Sequence, residues 1–352
     1  MKLNFTVAIA VFGTRAAAAS ASSPTLYIFG DSFSDIGTFK ELTLGLLPSS
    51  PYWHGRFSSG PVWNEYLALL LNYSLYSMAV GGSKSANTGS SGILSINIPS
   101  TQNQINFFRL INPLYSQRAS RNLDVAILEI GANDFLGNVS QISANTQTVD
   151  SFVNTLSNTV IGQLDQLRSI GFRNIVVTNL GAIHLTPTAK LQNIRGVANA
   201  TVTRYNQVLA SKANAWSQSA NIGSFVIANL GGFVELTINS AAIVSALGLK
   251  DTTTSCVSGN TTNLAELQGK HCALLNFITS AKKDLMCSDP STHYFFDSIH
   301  PAERIHRLYG YISKEVVSAI MQGHQYQMTE AKILALISQH NLGTPAPKPA
   351  SV

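Results

Sequence analysis

A serine near the start of the sequence and an aspartate–histidine pair near its end are the residue types that acyl transfer requires. Ser32 follows Gly-Asp, and Asp297 stands three residues before His300. A serine hydroxyl is a weak nucleophile until an adjacent base takes its proton. An imidazole held by a carboxylate is such a base, and one short loop presents both side chains. We therefore expect Ser32 to act as a nucleophile, His300 as its base and Asp297 as the partner of the imidazole.

Two further residues are suited to stabilise the negative charge that develops on a carbonyl oxygen. Asn133 follows the apolar run at 123–130, and its side-chain amide is a hydrogen-bond donor. Gly82 follows the apolar run at 76–80, and the absence of a side chain lets its backbone N–H approach a ligand closely. Loss of one such donor typically costs about 2.7–4 kcal/mol of transition-state stabilisation. Both residues are predicted oxyanion donors.

The candidate residues follow short apolar runs that are predicted to be strands, each followed by a glycine. The predicted strands are 25–29, 76–80, 123–130, 174–180 and 224–230, and the predicted helices are 62–71, 149–170, 197–215, 301–321 and 329–340. Proline and glycine predict a long loop at 40–62. The alternation of strands and helices predicts an α/β fold in which helices cover both faces of a central parallel sheet. In such folds ligands bind beyond the carboxyl ends of the strands, where Ser32, Gly82 and Asn133 lie.

The chain divides into a leader, one catalytic domain and a tail. Lys2, a short apolar run at 3–12 and the small residues that follow are typical of a secretory signal peptide, so residues 1–21 are expected to be removed. Residues 22–325 are expected to form one catalytic domain, and residues 326–352 a C-terminal helix and a disordered tail. We expect the protein to be secreted and extracellular.

The composition excludes several classes of protein. Hydrophobic residues make up 45% of the 352 residues and charged residues 12%, which is typical of a globular enzyme and not of a disordered chain. The formal net charge of +5 is distributed without a run of like charges, so we expect no nucleic-acid partner. The run at 3–12 is shorter than the about 20 residues that a membrane-spanning helix needs, so we expect no stable membrane insertion. We expect a monomer.

Four Asn-x-Ser/Thr triplets accompany the secretory features. They begin at Asn72, Asn138, Asn199 and Asn260. Each is an acceptor sequence for an N-linked glycan if the chain passes through a eukaryotic secretory pathway. Together with the leader, they favour an extracellular glycoprotein.

The three cysteines, Cys256, Cys272 and Cys287, all lie in the C-terminal third. An oxidising compartment favours one disulfide and leaves one thiol. A bridge between Cys272 and Cys287, or between Cys256 and Cys272, closes a loop of about 15 residues, which stabilises by about 3 kcal/mol in the chain-entropy model. The sequence has no Cys-x-x-Cys, and its histidines show no metal-ligand spacing. We predict no metal and no cofactor.

Four sequence blocks resemble those of the GDSL (SGNH) esterase and lipase family. FGDSFSD, MAVGGS, EIGANDF and FFDSIHP occur in the order that the family shows, and the similarity extends from Tyr27 to about Gly310. The resemblance implies a flavodoxin-like three-layer α/β/α sandwich with a central parallel sheet. It also implies an acyl-enzyme mechanism without a cofactor.

The resemblance assigns the same site residues as the chemistry does. It implies a triad and an oxyanion hole with these members: the nucleophile Ser32, the base His300, its partner Asp297, the backbone N–H groups of Ser32 and Gly82, and the amide of Asn133. Ser77 stands where many members of the family have Asn, so Gly81 is the alternative donor to Gly82.

The substrate class is open at this level. The stretch 55–63 is similar to secreted members of the family, including fungal acylhydrolases and haemolysin-like phospholipases. The resemblance implies a secreted serine carboxyl ester hydrolase, and the small exposed sites of the family favour short-chain or acetyl esters such as acetylated carbohydrates. One alternative is a lysophospholipase or lipase for longer acyl chains, and another is a catalytically inactive carbohydrate-binding protein. The expected partner is thus a small-molecule, polysaccharide or lipid ester.

Aromatic and acidic residues beside the site have structural interpretations as well. Tyr52, Trp53, Phe57 and Trp63 either line an acyl or sugar subsite or pack in the core. Asp31, Asp35 and Asp134 are interpreted as organisers of loops and caps of helices.

Overall fold

The computed structural model describes residues 23–87, 98–112, 121–257 and 286–346. Five strands form one parallel sheet, in the order β2-β1-β3-β4-β5. They are β1 (Thr25–Gly30), β2 (Ser74–Ser77), β3 (Val125–Glu129), β4 (Asn174–Thr178) and β5 (Ser224–Ala228). This order is that of flavodoxin-like doubly wound sheets. The predicted central parallel sheet is confirmed, whereas the predicted signal peptide lies outside the described residues.

Successive side chains of β1 enter two separate hydrophobic cores. Tyr27 and Phe29 pack in one core, and Leu26 and Ile28 pack in the other. All four are buried, because a strand in a parallel sheet covered by helices has both faces inside the protein. The continuous apolar run that predicted this strand is the direct result of this two-sided burial.

Helices on each face of the sheet complete the three layers. The longer helices are α2 (Trp63–Leu71), α3 (Thr101–Ile111), α4 (Ala132–Ser143), α5 (Val149–Ile170), α7 (Arg195–Ser219), α8 (Leu230–Asn239), α10 (Glu303–Met321) and α11 (Glu330–Gln339), and the short ones are α1 (Thr38–Leu42), α6 (Pro187–Leu191) and α9 (Ala241–Ala246). Apolar side chains of α3, α5 and α7 pack in the core with Tyr27, and those of α2, α8, α10 and α11 pack in the core with Leu26. None of the helices within the described ranges combines the length and apolar composition needed to cross a membrane.

The carboxyl ends of β1 and β2 differ from the predicted boundaries. β2 begins and ends earlier than the predicted strand at 76–80, yet the N–H groups of Met78 and Val80 still bond to the carbonyls of Ile28 and Gly30, at 2.8 and 3.1 Å. The chain after β2 therefore continues beside β1 to the edge of the sheet. This places the glycine pair that follows Val80 next to the turn that carries Ser32.

The disulfide differs from both pairings that the sequence favoured. Cys256 is bonded to Cys287, which excludes the bridges Cys272–Cys287 and Cys256–Cys272. The bonded cysteines lie 31 residues apart, but a backbone bridge pairs Val257 with Met286 and brings the cysteines together. Loop-closure entropy rises slowly with loop length, so the preference for the shorter loops was too weak to decide the pairing. Cys272 lies outside the described residues.

A small two-stranded sheet adjoins this disulfide. Its strands, β6 (Asp251–Ser255) and β7 (His293–Phe295), are parallel and were not predicted. β7 leads directly into the segment that carries Asp297 and His300. The disulfide and the small sheet thus anchor the chain on the amino-terminal side of that segment.

The C-terminal helix packs against the domain. Ile333 and Ile337 of α11 are buried in the core on the Leu26 side. The Arg307 side chain, from α10, donates to the backbone carbonyls of Leu342 and Thr344. These contacts hold the segment after α11 against α10.

The glycosylation triplets differ in accessibility. Asn72 and Asn199 are exposed, and Asn138 is half-buried with its side-chain amide donating to the carbonyl of Asp134 at 2.8 Å. Asn260 lies outside the described residues. The two exposed asparagines are the better placed acceptors.

Candidate active site

The structure brings the three predicted catalytic side chains together at the carboxyl edge of the sheet. His300 Nε2 lies 2.8 Å from Ser32 Oγ, and His300 Nδ1 lies 2.7 Å from Asp297 Oδ2. Ser32 and His300 are separated by 268 residues. All three side chains are largely buried, so water competes little with these hydrogen bonds.

A tight turn after β1 presents Ser32. The N–H of Ser34 donates to the carbonyl of Asp31 at 3.1 Å, and the N–H of Phe33 donates to Asp31 Oδ1 at 3.1 Å. The turn starts at Gly30, where a Cβ would meet the carbonyl oxygen of Glu129 at 2.8 Å. The close approach of β1 and β3 therefore requires glycine at this position.

A second turn presents Asp297 and His300. Asp297 Oδ1 accepts the N–H groups of Ile299 and His300 at 2.9 and 2.7 Å. Burial alone would raise the pKa of Asp297, but the His300 imidazole and the hydrogen bonds from the turn outweigh burial and hold the pKa below its usual value. Asp297 is therefore a carboxylate at neutral pH.

The same carboxylate has a partner that the sequence did not indicate. The Tyr52 hydroxyl donates to Asp297 Oδ2 at 2.7 Å across 245 residues of chain. The Phe57 ring lies 5.2 Å from the His300 ring at an interplanar angle of 33°. Tyr52, Phe57 and Trp63 are buried, which supports the core-packing interpretation of these aromatic residues. No spacing or motif links Tyr52 to Asp297, so this contact had no signal in the sequence.

Two backbone donors near the nucleophile have no partner within the described part of the chain. They are the N–H groups of Ser32 and Gly82. The N–H of Gly81, by contrast, donates to Asp35 Oδ2 at 2.7 Å. This bond removes Gly81 as the alternative donor and leaves Gly82, whose φ of 83° suits glycine.

Asn133 lies in the first turn of α4 and lines the cavity in front of Ser32. Its amide nitrogen donates to the carbonyl of Ser83 at 3.0 Å and to Asp31 Oδ2 at 3.2 Å. Both amide hydrogens are thus engaged in the free protein. The bond to Asp31 is the longer one, and it is the one that an oxyanion would have to share or replace.

Two acidic side chains hold the loops around the site, as the sequence predicted. Asp35 accepts the N–H groups at the start of α1 and that of Gly81, with bonds between 2.6 and 3.0 Å. Asp134 accepts the N–H and the hydroxyl of Ser85 at 2.9 and 2.7 Å. These contacts confirm the interpretation of Asp35 and Asp134 as organisers of loops.

A pair of buried carboxyl groups lies behind the nucleophile. Burial raises the pKa of Glu129 to about 7. Burial and the nearby charge of Glu129 raise the pKa of Asp31 well above its usual value. Two such groups cannot both ionise at low cost, so the pair retains a proton at neutral pH. The hydroxyl of Ser34 donates to Glu129 Oε2 at 2.9 Å and links this pair to the turn.

A cavity open to solvent on one side adjoins Ser32 and His300, and the empty space in it, open solvent included, is about 920 Å³. Most of its wall away from these two residues is apolar. The side chains that form this apolar part are Leu136, Leu180, Ile183, Leu230, Phe233 and Val234. They come from α4, the segment after β4, and α8, all at the carboxyl edge of the sheet.

One group of metal-ligating residue types is close enough to share an ion among the residues described: Cys256, Cys287 and His293. The two sulfur atoms are bonded to each other, so they offer no thiolate ligand. This group therefore does not fit a metal.

Comparison with known proteins gives a consistent family assignment. Residues 26–311 match the GDSL-like Lipase/Acylhydrolase family. A phosphatidylcholine-sterol acyltransferase of Aeromonas hydrophila is 27% identical over 246 residues, which are 67% of this chain and 66% of that protein. A GDSL esterase/lipase of Arabidopsis thaliana is 26% identical over 329 residues, which are 82% of this chain and 88% of that protein.

Solved structures with a similar chain course include two esterases. A carbohydrate acetylesterase from Sinorhizobium meliloti has a TM-score of 0.42 and 14% identity, covering 84% of this chain and 99% of that chain. The aryl esterase of M. smegmatis has a TM-score of 0.42 and 12% identity, covering 85% of this chain and 100% of that chain. The family match spans most of the sheet and both catalytic turns. The chain belongs to the GDSL-like lipase/acylhydrolase family and is a carboxylic ester hydrolase.

Proposed function

We propose that Ser32 attacks the ester carbonyl and forms an acyl-enzyme. The observation that supports this proposal is the continuous chain from Ser32 Oγ through His300 to Asp297, with contacts of 2.8 and 2.7 Å, at the wall of a cavity. As Oγ bonds to the carbonyl carbon, its proton passes to Nε2 of His300. Asp297 accepts the Nδ1 hydrogen bond and stabilises the imidazolium.

Three hydrogen-bond donors are assigned to stabilise the negative charge of the tetrahedral intermediate. The N–H groups of Ser32 and Gly82 have no other partner among the residues described, and Asn133 gives up its longer bond to Asp31. The intermediate then collapses as His300 returns its proton to the leaving alkoxide, which departs as the alcohol. Water hydrolyses the acyl-enzyme by the same route, with His300 again as the base.

The acyl chain of the substrate is assigned to the apolar part of the cavity. An acetyl group would leave most of the leucine, isoleucine and phenylalanine side chains of this wall in contact with water. Burial of each methylene contributes about 0.8 kcal/mol, or about a fourfold gain in kcat/KM while the wall still has unfilled space. We therefore favour esters of medium or longer acyl chains over the acetyl esters that the sequence favoured.

A chain-length series tests the acyl assignment. p-Nitrophenyl esters of two to twelve carbons are compared, and we expect kcat/KM to rise over the first additions and to peak at six carbons or more. A maximum at two carbons would instead support an acetylesterase for carbohydrate esters. The Ser32→Ala variant serves as the control, because it measures any ester hydrolysis that does not require the Ser32 hydroxyl.

Reaction with a fluorophosphonate probe tests the nucleophile itself. The wild-type protein is expected to become labelled at Ser32, and Ser32→Ala is expected to remain unlabelled. Absence of labelling in the wild-type protein would favour a binding protein on the same scaffold. Retained ester hydrolysis by Ser32→Ala would contradict the proposed mechanism.

Secretion is a separate proposal. It is supported by Lys2, by the apolar run at 3–12 and by the exposure of Asn72 and Asn199. Expression of the full chain in a eukaryotic secretory host is expected to release a protein that lacks the leader, as read by N-terminal sequencing. Retention of an uncleaved chain inside the cell would contradict the proposal.

A further inference from the structure

The Asp297 carboxylate accepts four hydrogen bonds, and one of them comes from outside the catalytic turn. Oδ1 accepts two backbone N–H groups of the turn, and Oδ2 accepts His300 Nδ1 at 2.7 Å. The fourth donor is the Tyr52 hydroxyl, which bonds to the same Oδ2 at 2.7 Å. Tyr52 and His300 thus compete for the electron density of a single oxygen atom.

The position of the Tyr52 ring is fixed by its neighbours. Its centroid lies 5.3 Å from that of Phe296 at 80° and 6.1 Å from that of Phe57 at 63°, both edge-to-face arrangements. Its backbone N–H donates to the carbonyl of Ser49 at 3.1 Å. The side chain is 5% exposed, so its hydroxyl has little access to water. Burial and the charge of Asp297 raise the pKa of Tyr52 well above its usual value, so the hydroxyl stays protonated and donates.

We propose that Tyr52 is a positioning residue that extends the Ser32–His300–Asp297 chain by one hydrogen bond and limits the negative charge that Asp297 presents to the imidazole. This inference rests on the proposed roles of those three residues. The hydroxyl withdraws charge from Oδ2 and keeps the carboxylate oriented toward Nδ1.

Removal of the hydroxyl has an expected direction. In Tyr52→Phe, Oδ2 bears more negative charge, and the imidazolium is stabilised more strongly in the free enzyme. The protonated, inactive form then persists to higher pH, so the acid limb of kcat/KM moves to higher pH. At the pH optimum, where the imidazole is neutral, the lost orientation of the carboxylate toward Nδ1 outweighs the added charge on Oδ2. We expect about a tenfold loss in kcat there, the size of effect typical of a hydrogen bond to a charged group, with KM little changed.

Other titratable groups near the His300 imidazole also contribute to the pH profile of kcat/KM. Besides Asp297 and Tyr52, they are Asp31 in the turn after β1 and His306 on α10. Burial lowers the pKa of His306 to about 3, so His306 is neutral throughout a neutral assay range. Asp31 contributes equally to the wild-type protein and to Tyr52→Phe, so the difference between their profiles isolates Tyr52.

A matched variant separates this role from a loss of packing. Tyr205 is a fully buried tyrosine on α7 whose hydroxyl has no hydrogen-bond partner among the described residues. Tyr205→Phe removes the same atom from an equally buried ring, and this hydroxyl makes no hydrogen bond to Asp297. We expect its kcat and its acid limb to equal those of the wild-type protein. An acid limb in Tyr52→Phe that also coincides with the wild-type limb would overturn the inference.

A double-mutant cycle gives a second test that does not depend on the absolute activity of one variant. Rates of fluorophosphonate labelling are measured for Tyr52→Phe, Asp297→Asn and the double variant. If Tyr52 acts through the charge of Asp297, the Tyr52 substitution should change the rate less than about twofold once Asp297 is Asn. An undiminished tenfold effect in that background would contradict the inference. The proposed function itself fails if the wild-type protein is not labelled, or if Ser32→Ala retains labelling or ester hydrolysis. The two failures are therefore distinguishable.

Discussion

Ser32 lies between two groups of buried carboxyls whose pKa values are shifted in opposite directions. In the turn at 297–300, four donors surround Asp297, and the His300 imidazole with the hydrogen bonds of the turn holds the pKa of Asp297 below its usual value despite burial. On the side of β3, burial raises the pKa of Glu129, and burial together with the charge of Glu129 raises the pKa of Asp31. Both groups are equally inaccessible to water. The comparison therefore indicates that a cationic partner together with hydrogen-bond donors, and not the depth of burial, sets the direction in which the pKa of a carboxyl at this site is shifted.

The largest effect is expected from removing the negative charge of Asp297. Asp297→Asn leaves the side chain close in size but takes away the anion that holds the imidazole and balances its proton. Loss of the carboxylate from a serine–histidine–aspartate triad typically lowers kcat by about 10⁴-fold, and we expect a loss of that order here. Steady-state kinetics on an ester within the preferred chain length measure the effect. A loss below about tenfold would mean that Asp297 does not support His300.

Asn133 links the β3 side to the cavity, because its amide bonds to Asp31 and its side chain lines the cavity. Asn133→Ala removes the proposed side-chain donor to the oxyanion. We expect kcat to fall by about 10²–10³-fold while KM changes little, because the contact forms only in the transition state. A variant that raises KM at constant kcat would show that Asn133 binds the ground state instead.

The effect of pH on stability should distinguish the two groups of carboxyls. Glu129 has a folded-state pKa of about 7 against a usual value of 4.5, so the folded protein binds more protons than the unfolded chain between these values. Stability is therefore expected to fall as pH rises from about 4.5 to about 7, by on the order of 3 kcal/mol from this group. Asp297 has the opposite sign, because its lowered pKa stabilises the fold above the usual pKa, and this contribution is lost in acid.

Urea unfolding at a series of pH values measures the Glu129 contribution. Glu129→Gln retains an acceptor for the Ser34 hydroxyl and is expected to flatten the decline between pH 4.5 and 7. Glu330→Gln, at an exposed position on α11, is the matched control and should leave the decline unchanged. An equally steep decline in Glu129→Gln would assign the effect to another group.

The sequence predicted the parts of the fold whose signals are local. α5 begins and ends where its helical apolar spacing does, and β1 follows a continuous apolar run because both of its faces are buried. The proposed triad could be recognised because each member lies in a short motif at the end of a strand or the start of a turn. β6 and β7 have short, partly exposed or polar sequences, and no periodicity marked them.

Local sequence patterns did not predict contacts between segments that lie far apart in the chain. Tyr52 reaches Asp297 from a loop with no helical or strand periodicity, so its place depends on how that loop packs. The disulfide between Cys256 and Cys287 depends on a backbone bridge between the neighbouring residues, not on the length of the loop it closes. Both contacts are set by tertiary packing.

The smallest effect is expected from the carboxyl that lies nearest to the nucleophile in sequence. If Asp31 is already protonated at neutral pH, Asp31→Asn replaces one neutral group by another of similar size. Its Oδ1 still accepts from Phe33 N–H, whereas the bond from Asn133 to Oδ2 loses its acceptor. We expect kcat/KM to fall by less than about tenfold, within the range of one neutral hydrogen bond. Steady-state kinetics of this variant beside Asp297→Asn compare the same substitution in the two groups. A loss as large as that of Asp297→Asn would show that Asp31 acts as an anion, and the contrast between the two sides of Ser32 would then be wrong.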